Sequence, residues 1–482
     1  MELTPVLDER SGTPLYEQIY AYIRAEIVAG RIAPDAKLPS IRRLSVYLGL
    51  SRTPVELAYQ QLLAEGYLTS KPRSGLFVAP LGQPAWSPRS PRQEPTAIEG
   101  AAAGASPGAA SCNAPPVRLD FGYGHTDLEH FPFAKWRRLM NESFLASNRR
   151  LFRYGDLQGE PELRAEIAAY LHQVRGVRCT PEQIVVGAGT YHSLDLLCQL
   201  LKPAVSRIAS EAAVNDGVRA AFEQHRFAMA PIPLASDGIE TARLADTDAQ
   251  AVYVTPSHQF PYGMVLSIGK RYELLNWAAR TGGIVIENDY DGEFRYYGKP
   301  VPSLQGLDPS GERVVYVGTF SKALTPSFRI SYLVLPAPLL ARFCDGRHSY
   351  DQLASPILQH TLHLFMRSGG FERHMRKMRT LYEKKHGLLL HAVKTHLGSR
   401  ATVIGDGSGL HILLRISGPL CEGQLIERAA AIGIRVYPVS TYELEAEKAP
   451  SSTVMLGFGG VASEQIDSGI AELSRVWPGM AK

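Results

Sequence analysis

Residues 80–116 constrain this chain more than any other stretch, because 25 of these 37 positions are Pro, Ala, Gly or Ser. A segment of that composition buries too little apolar surface to offset the entropy of ordering it, so it joins domains rather than forming one. At roughly 5–6 Å times the square root of its length it spans about 30–40 Å. The chain therefore reads as a head (residues 1–79), a flexible linker (80–117) and a body (118–482). No repeat of 20–50 residues runs through either part. With 45% hydrophobic residues the chain can bury a large core, and 51 basic against 47 acidic residues leave a net charge of only +4. That excludes a wholly basic nucleic-acid coat, so any nucleic-acid contact must be a local patch. No apolar run of about 18 residues argues for a membrane span. The first residues lack the apolar core of a secretory signal. Five cysteines (Cys112, Cys179, Cys198, Cys344, Cys421) are scattered without CxxC spacing. They point to reduced thiols in the cytoplasm, not to a disulfide or zinc framework, and no metal is expected.

In the head, Leu15, Ile19, Tyr22, Ile23 and Ile27 recur at helical spacing before Gly30. A second helix is expected from the cap Ser40 to Gly49, and a third from Ser51, with Pro54 in its first turn, to Gly66. YLTSKPRSGLFV then reads as a hairpin with its tip at residues 71–75. Three helices and a hairpin make a winged helix-turn-helix, with Gly49-Leu50 as the tight turn. Residues 31–73 hold seven basic side chains (Arg31, Lys37, Arg42, Arg43, Arg52, Lys71, Arg73) and three acidic ones. They fall at the starts of the second and third helices and on the wing, where phosphates and base edges would lie. A protein-docking module with a solvated basic face has the same charge pattern. LPSIRRLSVYLGLSRTPVELAYQQLLAEGYL, followed by a glycine-containing wing, resembles the GntR family of bacterial regulators. That resemblance implies operator DNA as partner, contacted by Arg42, Arg43, Ser51, Arg52, Thr53, Lys71, Arg73 and the wing around Gly75.

In the body, apolar runs at 184–189, 251–256, 283–289, 314–322 and 330–336 alternate with helical patterns. Runs rich in Val, Ile and Tyr without strict alternation are strands buried on both faces, so an α/β domain with a mostly parallel central sheet is expected. Ligands of such sheets collect at the carboxyl ends of the strands. Gly187-Ala-Gly-Thr190 follows one strand and opens a helix, which suits a phosphate but equally a turn made for packing. Lys322 follows another strand, with Ser321 beside it and Arg329 seven residues on. A Schiff-base lysine next to a phosphate fork would look like this, and so would a snorkelling surface lysine.

Five ordered motifs separate these readings: YGDLQGEPELRAEIAAYL, RGVRCTPEQIVVGAGT, TPSHQFPYG, ENDYDGEFRY and GTFSKALTPSFRISYLVLP. Together they resemble the fold-type I aminotransferases that bind pyridoxal phosphate, and joined to the head they resemble the MocR (GabR-like) regulators. The resemblance implies an internal aldimine at Lys322 and phosphate contacts from Gly189, Thr190, Ser321 and Arg329. It places Tyr290 on the cofactor's phenolic oxygen, and Tyr154 on the phosphate of the neighbouring subunit in a homodimer. Three departures stand out. The family pattern EDDY here reads Glu287-Asn288-Asp289-Tyr290, which sets Asn288 where a carboxylate faces the pyridine nitrogen. Asp289 could take its place only if the strand end shifted, since adjacent strand residues point to opposite faces. Asn215 replaces an aromatic residue near the ring. Met455 stands where an arginine grips a substrate carboxylate, with Arg435 or Arg347 as possible substitutes. The expectation is a regulator whose body senses pyridoxal phosphate or a small amine or amino acid, with weak or no transaminase activity. The alternative is an active aminotransferase carrying a DNA-binding head.

Overall fold

A computed structural model of the chain describes residues 3–5, 7–8, 11–71, 74–79, 116–296, 302–346, 350–445, 447 and 449–477. It divides into two compact units, Met1–Pro107 and Gly108–Lys482. The linker expected over 80–117 lies outside the described residues except for 116 and 117.

The head forms because its apolar spacing and its stops agree. Helix α1 (Leu15–Val28) buries Ile19, Ile23 and Ile27 on one face, as residues four apart must. Helix α2 (Ile41–Leu48) starts where the Ser40 hydroxyl accepts the Arg43 N–H at 3.3 Å, and stops at Gly49, whose φ of +68° suits glycine. Ser51 holds the N-cap position of α3 (Arg52–Ala64) without a side-chain cap bond. Strands β1 (Leu68–Lys71) and β2 (Gly75–Val78) pair antiparallel from Leu68↔Val78 to Lys71↔Gly75. All close over Leu44, Val55, Tyr59, Leu62 and Leu68. The expected winged helix-turn-helix is present.

The body is built on seven strands: β3 (Ile184–Gly187), β4 (Arg207–Glu211), β5 (Ala228–Ile232), β6 (Ala251–Val254), β7 (Ile284–Asp289), β8 (Val314–Thr319) and β9 (Ser331–Val334). Their order is β3-β9-β8-β7-β6-β4-β5. The pairs β8·β7·β6·β4·β5 are parallel, and β9 runs antiparallel to both its neighbours. Helix α4 (Thr190–Leu201) packs Leu194, Leu197 and Leu201 against Val185, Ile208, Val317 and Leu333 on one face. Trp277, Leu274 and Ala278 cover Val252, Val285 and Val314 on the other. Burial on both faces explains why these strands read as apolar runs without alternation. The long helix α5 (Gly370–His396) leads into an antiparallel sheet of β10 (Ala401–Ile404), β11 (His411–Ile416), β12 (Tyr437–Pro438) and β13 (Thr453–Gly457).

This topology fixes the site. The carboxyl ends of β3, β4, β6, β7 and β8 emerge at one edge, and antiparallel β9 brings its amino end, just after Arg329, to the same edge. Among the described residues no helix is long and apolar enough to cross a membrane.

Candidate functional site

At that edge lies a cavity of about 190 Å³. Its wall includes Thr190, Asn215, Asn288, Tyr290, Ser321, Lys322 and Arg329, brought together from five separate stretches of the chain. Sequence reasoning named all seven. Tyr123, Gly124, Tyr191, Val218, Tyr253, Thr255, Phe260, Thr319 and Pro326 complete the wall, and it named none of them.

One end of the cavity gathers groups that suit an anion. Gly189 precedes the 12-residue helix α4 with φ +94°. A Cβ there would lie 2.0 Å from an Arg329 guanidinium nitrogen, so only glycine lets the arginine approach the helix start. The unpaired N–H groups of that first turn carry partial positive charge. Thr190 is the first residue of the helix, and Ser321 lies beside Thr319, whose hydroxyl accepts the Ser321 N–H at 3.2 Å. Arg329 itself sits at φ +51°, a strained conformation for a non-glycine residue.

Lys322 is buried at the mouth of β8, its amine over the Tyr123 ring at 4.9 Å and donating to the Tyr123 carbonyl. Burial pushes the amine down to about 8, against a smaller upward pull from Asp291. Near pH 7 about a tenth of such amines are uncharged, where an ordinary lysine would have about one in three thousand. Such an amine can attack a carbonyl.

Asn288 and Asp289 point to opposite faces of β7. Asn288 lines the cavity, where its Nδ2 donates to the Tyr253 hydroxyl at 2.7 Å and its buried Oδ1 has no partner among the described residues. Asp289 is turned away, its Oδ2 accepting from Arg175 Nε and the Tyr316 hydroxyl, both at 2.6 Å. The strand end has not shifted, and Asp289 does not reach the cavity. Asn215 caps the helix that follows it and joins the wall: it accepts from the Tyr191 hydroxyl at 2.9 Å and donates to the Tyr123 hydroxyl at 2.8 Å. Asn215 thus ties two tyrosines of the wall together.

Met455 is fully buried in an apolar cluster with Phe260, Leu413, Val439 and Tyr442. Arg435 is 3.6 Å from Asp120 and does not line the cavity, whereas Arg347 lies outside the described residues. Among the described residues, Arg329 is the one arginine in the wall. Tyr154 stands entirely in solvent.

On the head, Arg42, Arg43, Ser51, Arg52, Thr53, Lys71 and Gly75 are all exposed, at the starts of α2 and α3 and on the hairpin. Arg73 lies outside the described residues. Lys71 lies 3.3 Å from Asp35 and 4.6 Å over the Phe77 ring. An exposed pair of this kind contributes about 0–1 kcal/mol, too little to hold the lysine from a phosphate.

The comparisons with known proteins match both parts. Residues 15–78 match the bacterial regulatory proteins of the gntR family, and residues 117–446 match aminotransferase class I and II. The uncharacterized HTH-type transcriptional regulator YdeL of Bacillus subtilis (strain 168) is 43% identical over 99% of this chain and 100% of its own. The probable rhizopine catabolism regulatory protein MocR of Rhizobium meliloti is 33% identical, covering 97% of this chain and 94% of its own. Among solved structures, an archaeal alanine:glyoxylate aminotransferase superposes with a TM-score of 0.69 at 25% identity, over 74% of this chain and 90% of that one.

Proposed function

The chain belongs to the MocR-type HTH transcriptional regulators, a GntR head joined to an aminotransferase class I and II body, and from that membership we propose that the body senses rather than turns over its ligand. The family's cofactor is pyridoxal phosphate, which when bound supplies an aldehyde for amines and a ring that accepts electrons. The residues present fit it. The cup of Gly189, Thr190, Ser321 and Arg329 would hold the phosphate, and the partly uncharged Lys322 amine would bond the aldehyde. The unpartnered Oδ1 of Asn288 would accept from the ring nitrogen, and Tyr290 would face the phenolic oxygen.

The observation that carries the sensor reading is Asn288 in the wall with Asp289 turned to the far face. A neutral amide accepts a hydrogen bond but supplies no charge to keep a ring nitrogen protonated, which an efficient electron sink needs. In this reading the effector is pyridoxal phosphate or a small amine, the chain acts in the cytoplasm, and Tyr154 completes the phosphate cup of a second copy in a homodimer. A sensor needs only about 1–3 kcal/mol of coupling between sites. Operator affinity of the full chain is therefore expected to change about 5–150-fold when it is saturated with pyridoxal phosphate. Equal affinities with and without the cofactor, alone and with added amines, would contradict the proposal.

The head is tested separately. Arg52→Ala is expected to weaken operator binding by about 1–3 kcal/mol and relax sequence preference. Lys71→Ala should weaken binding to all sequences alike and lower the salt slope by about one unit. If both variants match the parent chain at several salt concentrations, the basic face is not the DNA surface.

A further inference from the structure

Two of the ordered motifs, TPSHQFPYG and ENDYDGEFRY, each contribute a buried polar residue that the cofactor reading leaves unused: His258 and Asp291. Their side chains are 0% and 1% exposed, and His258 Nδ1 lies 2.9 and 3.1 Å from the two Asp291 oxygens. The same nitrogen lies 3.0 Å from the Tyr290 hydroxyl. The backbone of Gly409, at φ +76°, closes over the pair: a Cβ there would meet His258 Cε1 at 2.0 Å and Asp291 Oδ2 at 2.6 Å.

One ring nitrogen thus faces a carboxylate and a phenol together, and the carboxylate decides its state. A bare Nδ1 would set its lone pair against Asp291, whereas Nδ1–H donates to it, so Asp291 selects the Nδ1–H form. The Tyr290 oxygen then meets an N–H and is an acceptor on that side. Its own hydrogen is left to turn the other way, into the cavity whose wall Tyr290 forms.

We propose that Asp291 and His258 are positioning residues that aim the Tyr290 hydroxyl proton into the cavity, toward the ring oxygen of the bound cofactor. The second half of this rests on the pyridoxal phosphate reading above. Other groups surround the device. Burial first, then Asp291, Tyr123, Tyr253 and Glu211, raise the Tyr290 phenol well above its ordinary range, so it keeps the hydrogen it donates. Lys322 faces the cavity too, and His411, whose ring centre is 4.9 Å from that of His258, is held well below its usual range by burial, by His258 and by Lys322. Glu211 is pushed up to about 7 by burial. The effect must therefore be read as a difference between variants, in which these groups are constant.

Two measurements test it. In the full chain without cofactor, the histidine ¹⁵N spectrum, with His258→Gln to assign the signal, is expected to show protonated Nδ1. In Asp291→Asn the amide can donate to a bare nitrogen instead, and the proton should move to Nε2. In the chain loaded with pyridoxal phosphate, the pH midpoint of the visible cofactor band is followed in Tyr290→Phe, Asp291→Asn and the double variant. Loss of the hydroxyl proton removes a donor to a negative oxygen, so both single variants should raise the midpoint by about one unit, a tenfold gain in proton affinity. The double variant should add little to Tyr290→Phe, because the two substitutions remove one interaction. A purely structural Asp291 would give additive shifts, and additive shifts or a bare Nδ1 in the parent chain would overturn the proposal. If the parent chain formed no band at all, the cofactor reading would fail, and the ¹⁵N spectrum would still decide which way Tyr290 donates.

Discussion

Lys322→Ala is expected to abolish the borohydride-reducible bond between the chain and pyridoxal phosphate, leaving the fold and the DNA binding of the cofactor-free chain unchanged. The reason is both chemical and positional. Among the residues of the cavity wall, Lys322 is the one amine, and burial holds it at about 8, where an uncharged fraction exists near neutral pH. Alanine leaves no amine among the described residues of the wall, so the covalent, reducible bond should be lost outright rather than weakened. The proposed phosphate cup does not involve the lysine, so weak, non-covalent capture of the cofactor should persist through Arg329, Ser321 and the start of α4. Stability should not suffer, because a buried ammonium costs desolvation that alanine does not. The head closes over its own core of Ile19, Ile23, Val55, Tyr59 and Leu62, which shares no residue with the clusters of the body. Absorbance of the loaded chain before and after borohydride, with a DNA-binding isotherm on the cofactor-free chain, checks the prediction. A reducible cofactor bond retained in the variant would place the aldehyde on another group.

The sequence showed this site where chemistry and local grammar coincide. Gly189 is conspicuous because a strand-to-helix turn needs it, Lys322 because it ends an apolar strand, and Asn288 because it interrupts a pair of acids. The residues that escaped notice carry no such mark. Tyr253 sits within the strand AVYV, where a tyrosine reads as core, and nothing local shows that its hydroxyl meets Asn288 35 positions away. Tyr123 lies just beyond the linker in no motif, and reaches Lys322 only through the tertiary fold. His258 and Asp291 stood in quoted motifs, yet their pairing needs two strand ends and Gly409 in register. The fold was legible for similar reasons. Five of the seven central strands carry the apolar runs quoted above and were expected. Strands β4 and β5 were not, since RIASE ends in polar residues and AMAPI contains Pro231, which demotes a run read without its neighbours. Caps made the head's boundaries clear, with Ser40 and Gly49 marking the ends of α2.

The second large effect concerns what the loaded body does to amino acids. Little or no transamination of ordinary α-amino acids is expected, because Asn288 and Met455 stand where the resemblance implies an acid and an arginine, and those groups would act at different steps. Asn288 presents an uncharged Oδ1 in the cavity, and Asp289 cannot relieve it while held by Arg175 and Tyr316 on the far face. Proton loss from a bound amino acid then lacks the charge that would stabilise the electrons left behind. Met455 lies in an apolar cluster, and Arg435 pairs with Asp120 outside the cavity, so among the described residues a substrate carboxylate meets no fork in the wall except Arg329, the arginine of the proposed phosphate cup. Losing a buried bidentate partner costs about 2–5 kcal/mol of binding, and loose orientation slows the reaction further. A catalyst needs about 8 kcal/mol or more of transition-state stabilisation, which this wall is poorly equipped to supply. Asn288→Asp restores the charge beside Tyr253 and should speed the reaction without restoring the carboxylate grip.

The most direct measurement is a single-turnover scan, in which the chain loaded with pyridoxal phosphate is mixed with each common amino acid in excess and the visible band is followed. The account predicts that the band shifts at most, through reversible binding, and is not lost to the cofactor's amine form on the seconds-to-minutes scale. Rapid, complete conversion by any amino acid, reversed by a keto acid, would contradict it and make this body an aminotransferase.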